Sequence, residues 1–307
     1  MEAIGGGAGM SVGDPAVITC AISGAIANRD QCPAIPYTPQ EYGAEARRIV
    51  DEGGVQIHIH ARQPDGTPSY EVDDFAAIRD AIRAEVGDAA IINFSTGTVG
   101  VPVAKRIAYL EACRPTVAAL NMGSLNYGKY SRSRKDFVFQ FVFANPFDEI
   151  IELLQAMRRL QIKPEHECFD LGHVGSLAPL VDMGLLDAPL HADFVMGVVG
   201  GVPASARNLA AMADNMPAGR HHWGVIGIGR DQWMLVAAAL TLGGSIRVGL
   251  EDNFYLPDGT MARSNGDLVA KARQMAQDVG RRPATVEEAH ALLGIEPRQR
   301  QRQPQPA

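Results

Sequence analysis

Short apolar runs alternate with segments of helical periodicity along most of the chain. Eight such runs can be followed, at residues 15–23, 55–60, 89–95, 116–122, 166–172, 192–198, 223–229 and 245–252. Each is too short for a helix and ends in turn residues, so each predicts a buried strand. Between them lie segments with helix signals. Thr38-Pro39-Gln40-Glu41 supplies an N-cap, a proline at the first helical position and a capping-box glutamate for a helix reaching about Asp51. Asp73 and Asp74 stand in the first turn of the FAAIRDAIRAEV helix, where carboxylates suit the helix dipole. Thr285-Val286-Glu287-Glu288 repeats the capping signature before the last helix. Strands alternating with crossover helices make a parallel sheet, and eight repeats predict a (β/α)8 TIM barrel. The same alternation admits a doubly wound open sheet as the alternative.

One interruption stands out. The stretch NYGKYSRSRKDFVFQFVFANP, after the fourth strand, is longer than an ordinary βα loop and predicts a lid or an oligomer contact. At the ends, residues 1–13 are glycine-rich and residues 297–307 are polar and repetitive. Neither can bury enough apolar surface to offset its ordering entropy, so both are expected to be disordered tails around a single catalytic domain, 14–296.

Composition narrows the class. With 307 residues, 46% hydrophobic and 21% charged, the chain can bury a large core. A net charge of -7 argues against a general nucleic-acid binder, whose affinity rests on neutralising phosphates. Cys20, Cys32, Cys113 and Cys168 show no CxxC spacing, so neither a disulfide framework nor a cysteine metal site is expected. Reduced thiols in the cytoplasm are the expectation. The first residues lack a basic and apolar export signal, and no apolar stretch reaches the ~18 residues of a membrane span.

Candidate chemistry collects where a barrel keeps its active site, at the C-terminal strand ends. Polar clusters end nearly every run: Ser23-Gly24, His58 and His60, Ser95-Thr96-Gly97, Asn121, Asp170 with His173, Gly200-Gly201, Gly229-Arg230 and Glu251-Asp252-Asn253. In a strand, residues i and i+2 share a face, so His58 and His60 can reach one ion. A carboxylate from a distant strand would complete three protein ligands with an open fourth position, as in catalytic zinc sites. Taken alone, the tripeptide equally describes two half-buried histidines with backbone partners. Ideal alternation in the last run puts Arg247, Gly249 and Glu251 inward and Asp252 outward, so the chain must bend for both carboxylates to serve one site. Otherwise Asp252 is a helix cap or loop carboxylate and Arg247 a structural partner of the acids. Asp170 and His173 suit either support of the site or structure. His221 and His222 precede the seventh strand, at the opposite end, and are expected on the surface.

In this order, HIHAR, NFSTGT, LNMGSLNYG, ECFDLGH, FVMGVVGGVPA, GIGR and SIRVGLEDN resemble the β-keto acid cleavage enzymes over roughly residues 15–295. The resemblance implies a zinc-dependent TIM barrel, generally a homotetramer, that exchanges a β-keto acid with acetyl-CoA to give acetoacetate and a new acyl-CoA. It implies His58, His60 and Glu251 as zinc ligands, Asp252 as base, Arg247 as the residue orienting that base, and Glu167 in support. Ser95 and Gly97, with Thr96 and Asn121 beside them, would hold the substrate carboxylate. Gly200, Gly201 and Arg230 lie on loops whose backbone amides suit the phosphates of CoA; tight glycine turns are the plainer reading.

Zinc held there would acidify the C2 protons of a β-keto acid, helping a base whose ordinary pKa is only ~3.9. Two positions depart from the family member that cleaves 3-keto-5-aminohexanoate. Ile26 stands where that enzyme has an acidic residue facing the substrate ammonium, and Ala119 where it has threonine. An apolar Ile26 leaves a buried ammonium unpaired, so an uncharged substrate tail is expected. A divalent-metal aldolase or lyase acting on an oxo acid or CoA ester is the alternative within enzymes. A non-catalytic barrel with a structural metal, acting as a scaffold, is the alternative outside them.

Overall fold

Eight parallel strands close on themselves in the computed structural model, which describes residues 12–295. They are β1 (Ile18–Ala21), β2 (Gln56–Ile59), β3 (Ile91–Ser95), β4 (Val117–Asn121), β5 (Lys163–Cys168), β6 (Leu190–Met196), β7 (His221–Gly227) and β8 (Ser245–Val248). Neighbours follow chain order, and β8 pairs with β1 to seal the ring. The architecture is therefore a (β/α)8 barrel, and closure rules out the open sheet. Of the expected tails, residues 1–11 and 297–307 lie outside the described residues, while Gly13 donates its N–H to the Gly280 carbonyl at 2.7 Å.

Alternation sorts the strand residues into two environments. Ile18, Cys20, Ile57, Ile59, Ile92, Phe94, Leu120, Phe194 and Ile246 face outward into the main core, against the helices. The other face of each strand turns into the barrel, and much of it is polar: Thr19, Gln56, His58, Asn93, Glu165, Glu167, His191, Asp193 and Arg247, all buried. Bonds from Gln56 on β2 to Glu165 on β5, and from Arg247 on β8 to Glu167 on β5, join strands that are not neighbours, so they cross the lumen. The bottom layer is apolar. Val17, Val55, Ile91 and Val117 meet Ala289 and Leu293 of the last helix, Val286–Leu293, which plugs that end.

Both capping boxes form as the sequence predicts. Thr38 accepts from the Glu41 N–H while Glu41 accepts from the Thr38 N–H, and Thr285 and Glu288 repeat the exchange. Elsewhere the boundaries moved for identifiable reasons. β5 runs from Lys163 to Cys168 rather than over 166–172, because its inward Glu165 and Glu167 remove the apolar signal at its start. Asp170 then caps the short helix Leu171–Gly175 by accepting from the His173 N–H at 3.0 Å. β7 starts earlier than predicted, at His221, so His222 is a half-buried strand residue whose ring lies 6.1 Å from that of His191. Of the two, His221 alone is exposed.

The long insertion is an antiparallel hairpin, Leu125–Ser131 with Asp136–Phe143. Its root packs into the barrel mouth: Leu125 and Phe143 join Phe169, Val195, Val198 and Ile226 in an apolar cluster, with Tyr127 against it. Gly128 bridges to Val199 on the loop after β6.

Candidate active site

Each piece of the site arrives at the barrel mouth on a strand end. His58 lies in β2 and His60 just past its end, and the alternation that places both inward also brings their rings to 5.3 Å between centroids. Glu251 comes from across β1. Its Oε1 lies 3.4 Å from His60 Nε2 and its Oε2 lies 3.8 Å from His58 Nε2.

The bend that both carboxylates require is built at Gly249. That residue ends β8 with φ +133, and a Cβ there would stand 2.2 Å from the Ala21 carbonyl oxygen, so only glycine fits. Beyond it, Asp252 and Asn253 donate their N–H groups back to the Gly249 carbonyl, turning the chain over. Asn265 fastens the turn by accepting from the Leu250 N–H at 3.0 Å.

Arg247 is the hub. Its Nε donates to Asp252 Oδ2 at 2.9 Å and its Nη2 to Asp252 Oδ1 at 3.0 Å, a two-point grip. Nη2 also reaches Glu251 Oε1 at 2.9 Å, and Nη1 reaches Glu167 Oε1 at 3.0 Å. One buried guanidinium thus faces three carboxylates. Burial opposes its charge, but Asp252, Glu251 and Glu167 hold its pKa above the ordinary arginine value. For the acids the balance differs. Burial lifts Asp252 to about 6 and Glu167 to about 7 against the pull of Arg247. Glu251 stays ionised, because His60 and Arg247 outweigh its burial and depress its pKa. Burial and Arg247 keep His58 neutral.

The two imidazoles and Glu251 suit a divalent cation. A tetrahedral zinc site with ~2.0–2.1 Å bonds separates its donors by roughly 3.3–3.4 Å, close to the spacings here. His58 is neutral, as a ligand must be, and Glu251 Oε2 is buried without a hydrogen-bond partner.

Around this centre the remaining candidates fall as follows. Ser95 ends β3, with its Oγ accepting from the Gly97 N–H at 3.2 Å. The side chain of Asn121, at the end of β4, lies beside Gly97. Thr96 is turned toward the wall, donating to the Ala119 carbonyl at 2.6 Å. Ala119 is inward on β4, in register with Ser95 and Glu165. Ile26 sits on the loop after β1 and is 60% exposed. Gly200 and Gly201 admit the hairpin and its neighbours: a Cβ on Gly200 would stand 1.7 Å from the Asn126 carbonyl oxygen, and one on Gly201 2.8 Å from that of Phe169. Arg230 is exposed and lies over the Tyr255 ring at 4.4 Å. His173 is taken up locally, its Nδ1 accepting from the Phe169 N–H at 3.2 Å.

Sequence reasoning missed several supports. Arg62 is buried and donates to the carbonyls of Ser23, Gly24, Ala27 and Gly66, pinning the loop that carries Ile26. Its place in HIHAR was the available signal. Tyr42 donates to the His60 carbonyl at 2.7 Å, and nothing in its helical pattern announces that contact. Tyr127 from the hairpin packs edge-on to Phe169, and burial with the nearby negative charges of Glu251, Asp252 and Glu167 pushes its phenol up to about 12.

Comparisons with known proteins bear on the family and the fold. The family model for beta-keto acid cleavage enzymes matches residues 15–295. The 3-keto-5-aminohexanoate cleavage enzyme of Fusobacterium nucleatum subsp. nucleatum is 35% identical over 279 residues, covering 91% of this chain and 97% of that protein. The 3,5-dioxohexanoate:acetyl-CoA acetone transferase of Paraburkholderia graminis is 35% identical over 297 residues, covering 91% of this chain and 95% of that protein. Among solved structures, apo ObcA superposes with a TM-score of 0.72 at 21% identity, covering 86% of this chain and 66% of that one, which supports the fold. With the family model spanning the whole barrel and curated relatives matched nearly end to end, this chain belongs to the β-keto acid cleavage enzyme family.

Proposed function

We propose that this protein is a metal-dependent acyltransferase that exchanges a β-keto acid with acetyl-CoA, releasing acetoacetate and a new acyl-CoA. The observation that carries the reading is the Arg247 fork, which holds Asp252 at two points while steadying Glu251 beside His58 and His60. A structural metal site has no need of a second, separately gripped carboxylate. His58, His60 and Glu251 would hold zinc, which when bound polarises the keto group and acidifies the C2 protons.

Asp252 then removes one C2 proton. Its pKa of about 6 makes it a better base than an ordinary aspartate at neutral pH, and Arg247 fixes its direction. The C2 carbanion attacks the acetyl carbonyl and the CoA thiolate leaves. That thiolate adds to the original keto carbon, the bond from C2 to that carbon breaks, and protonation of C2 yields acetoacetate. Ser95, Gly97 and Asn121, neighbours at the ends of β3 and β4, would hold the substrate carboxylate, with Thr96 and Ala119 shaping the wall behind them. Glu167 steadies Arg247, and the loops of Gly200, Gly201 and Arg230 receive the CoA phosphates.

The relatives named above act on an amino-substituted and a dioxo acid at the same identity, so identity does not choose the tail. Ile26 does. An aliphatic side chain gives an ammonium no counter-charge, which favours a substrate with an uncharged tail. The exposed hairpin side chains Tyr130, Phe137, Val138 and Val142 suit contact with further copies in a tetramer. Four buried, unbridged cysteines fit the cytoplasm, and no helix among the described residues is long and apolar enough to cross a membrane.

The test is metal analysis followed by a β-keto acid panel, with acetoacetate scored with and without acetyl-CoA. Product that forms without acetyl-CoA would favour the aldolase or lyase reading. Absence of turnover in a metal-loaded protein would favour the scaffold.

A further inference from the structure

The barrel holds a second constellation of metal-type donors below the mouth, and no step proposed above uses it. Glu165 on β5 and His191 and Asp193 on β6 turn their side chains into the lumen, all buried. His191 Nε2 lies 3.2 Å from Asp193 Oδ2 and 3.8 Å from Glu165 Oε2. These spacings resemble those between the imidazoles and Glu251 at the mouth.

Two observations point to a cation. The first is charge. Arg247 is committed to Asp252, Glu251 and Glu167, and among the described residues the ion pairs of Glu165 and Asp193 run to His191 alone. Two buried carboxyl groups share one imidazole, an arrangement relieved either by a proton held between the acids or by a bound cation. The second is unsatisfied oxygen. Gln56 Nε2 and Asn93 Nδ2 donate to Glu165 Oε2 at 2.8 and 2.6 Å, bringing both amides to the cluster. Yet Gln56 Oε1, Asn93 Oδ1 and Glu165 Oε1 are buried with no hydrogen-bond partner. Unsatisfied buried acceptors are costly, and a cation satisfies oxygens that have no donor. A Cβ on Gly224 of β7 would stand 2.1 Å from Asp193 Oδ1, so glycine there clears room for the carboxylate.

We propose that Glu165, His191 and Asp193 form a second, interior site for a divalent first-row metal ion, with the Gln56 and Asn93 amides holding Glu165 in place. One imidazole with carboxylate oxygens suits zinc or manganese. Between the two sets, His58, Glu165 and Glu167 also offer donors within 4.8 Å of one another. The interior site stands independently of the metal at the mouth.

The test uses the full chain and zinc or manganese alone. Metal bound per chain is measured after loading and removal of excess, and crystals of the loaded protein are examined by anomalous scattering at the metal edge. Two equivalents are expected, with one peak among Glu165, His191 and Asp193 and another at His58, His60 and Glu251. Asp193→Asn and His191→Gln should each drop the stoichiometry from two to one, and the paired His58→Ala, His60→Ala variant should also leave one, at the interior peak. A single peak at the mouth in the wild-type crystal overturns the proposal whether or not the variants fold. So does a stoichiometry of two that Asp193→Asn leaves unchanged. A single peak in the interior would support this site while contradicting the metal assigned to the mouth.

Discussion

Arg247 grips Asp252 through two N–H groups, Nε to Oδ2 at 2.9 Å and Nη2 to Oδ1 at 3.0 Å, across a chain reversal only five residues long. The same guanidinium holds Glu251 and Glu167. Replacing Arg247 by alanine leaves three buried carboxylates without their common partner. The expected loss is about 3–5 kcal/mol of stability. Breaking the exposed Arg263–Asp267 pair should cost far less. Paired denaturant titrations of the two variants make the comparison.

Asp252→Asn keeps the size of the side chain and removes the base. Turnover should fall by about 10²–10⁴-fold. Metal content should be unchanged, because His58, His60 and Glu251 remain. A variant that keeps most of its activity would assign the proton transfer elsewhere.

Gly24 sits against Glu251, and a Cβ there would meet Glu251 Cγ at 2.7 Å. Gly24 also has φ +62, which side-chain-bearing residues resist. Gly24→Ala should shift Glu251 and weaken metal binding at the mouth by about 10–100-fold, the scale seen when supports of metal ligands are lost. Competition against a chelator of known affinity measures it.

Glu41 couples the first helix to the loop of Ile26, bonding Arg29 at 2.7 Å and accepting from the Tyr37 and Thr38 N–H groups at 2.9 Å. Partial burial works against its charge, but these three donors hold its pKa down to about 2. A carboxyl depressed in the folded state stabilises the protein above its unfolded pKa near ~4.3, and the gain disappears as pH falls toward 2. Glu41→Gln should therefore lose stability at pH 7, by about 1 kcal/mol or less after solvent screening. It should also show a weaker acid dependence below pH 4.5 than the parent, as read by melting temperature against pH.

Most of the barrel was legible because its outward residues are apolar and its helices carry their caps in sequence. β5 was misplaced because Glu165 and Glu167 point into a polar lumen, where the usual apolar signal is absent. His58, His60, Glu251 and Asp252 could be read as one constellation, and glycine at 249 hinted at the bend. The interior trio could not. Its members lie on adjacent strands in layers where barrels ordinarily place branched aliphatic residues; His191 and Asp193 share the i, i+2 spacing, but no local spacing brings Glu165 to them. Arg62 and Tyr42 escaped for a similar reason, since both act on backbone carbonyls of other segments.

Ile26 offers a test of specificity. Ile26→Glu should raise turnover of an ammonium-bearing β-keto acid relative to a neutral one of equal length. A ratio of kcat/KM values that does not move would remove Ile26 from substrate selection.

The most direct measurement is acetoacetate release from a neutral β-keto acid, with and without acetyl-CoA, in the parent and in His58→Ala, with bound zinc assayed in the same samples. The account predicts zinc-loaded parent enzyme that forms acetoacetate and acyl-CoA only when acetyl-CoA is present. It also predicts a His58→Ala protein that loses most of its activity together with the metal at the mouth. Undiminished turnover in His58→Ala, or acetoacetate formed without acetyl-CoA, would contradict it.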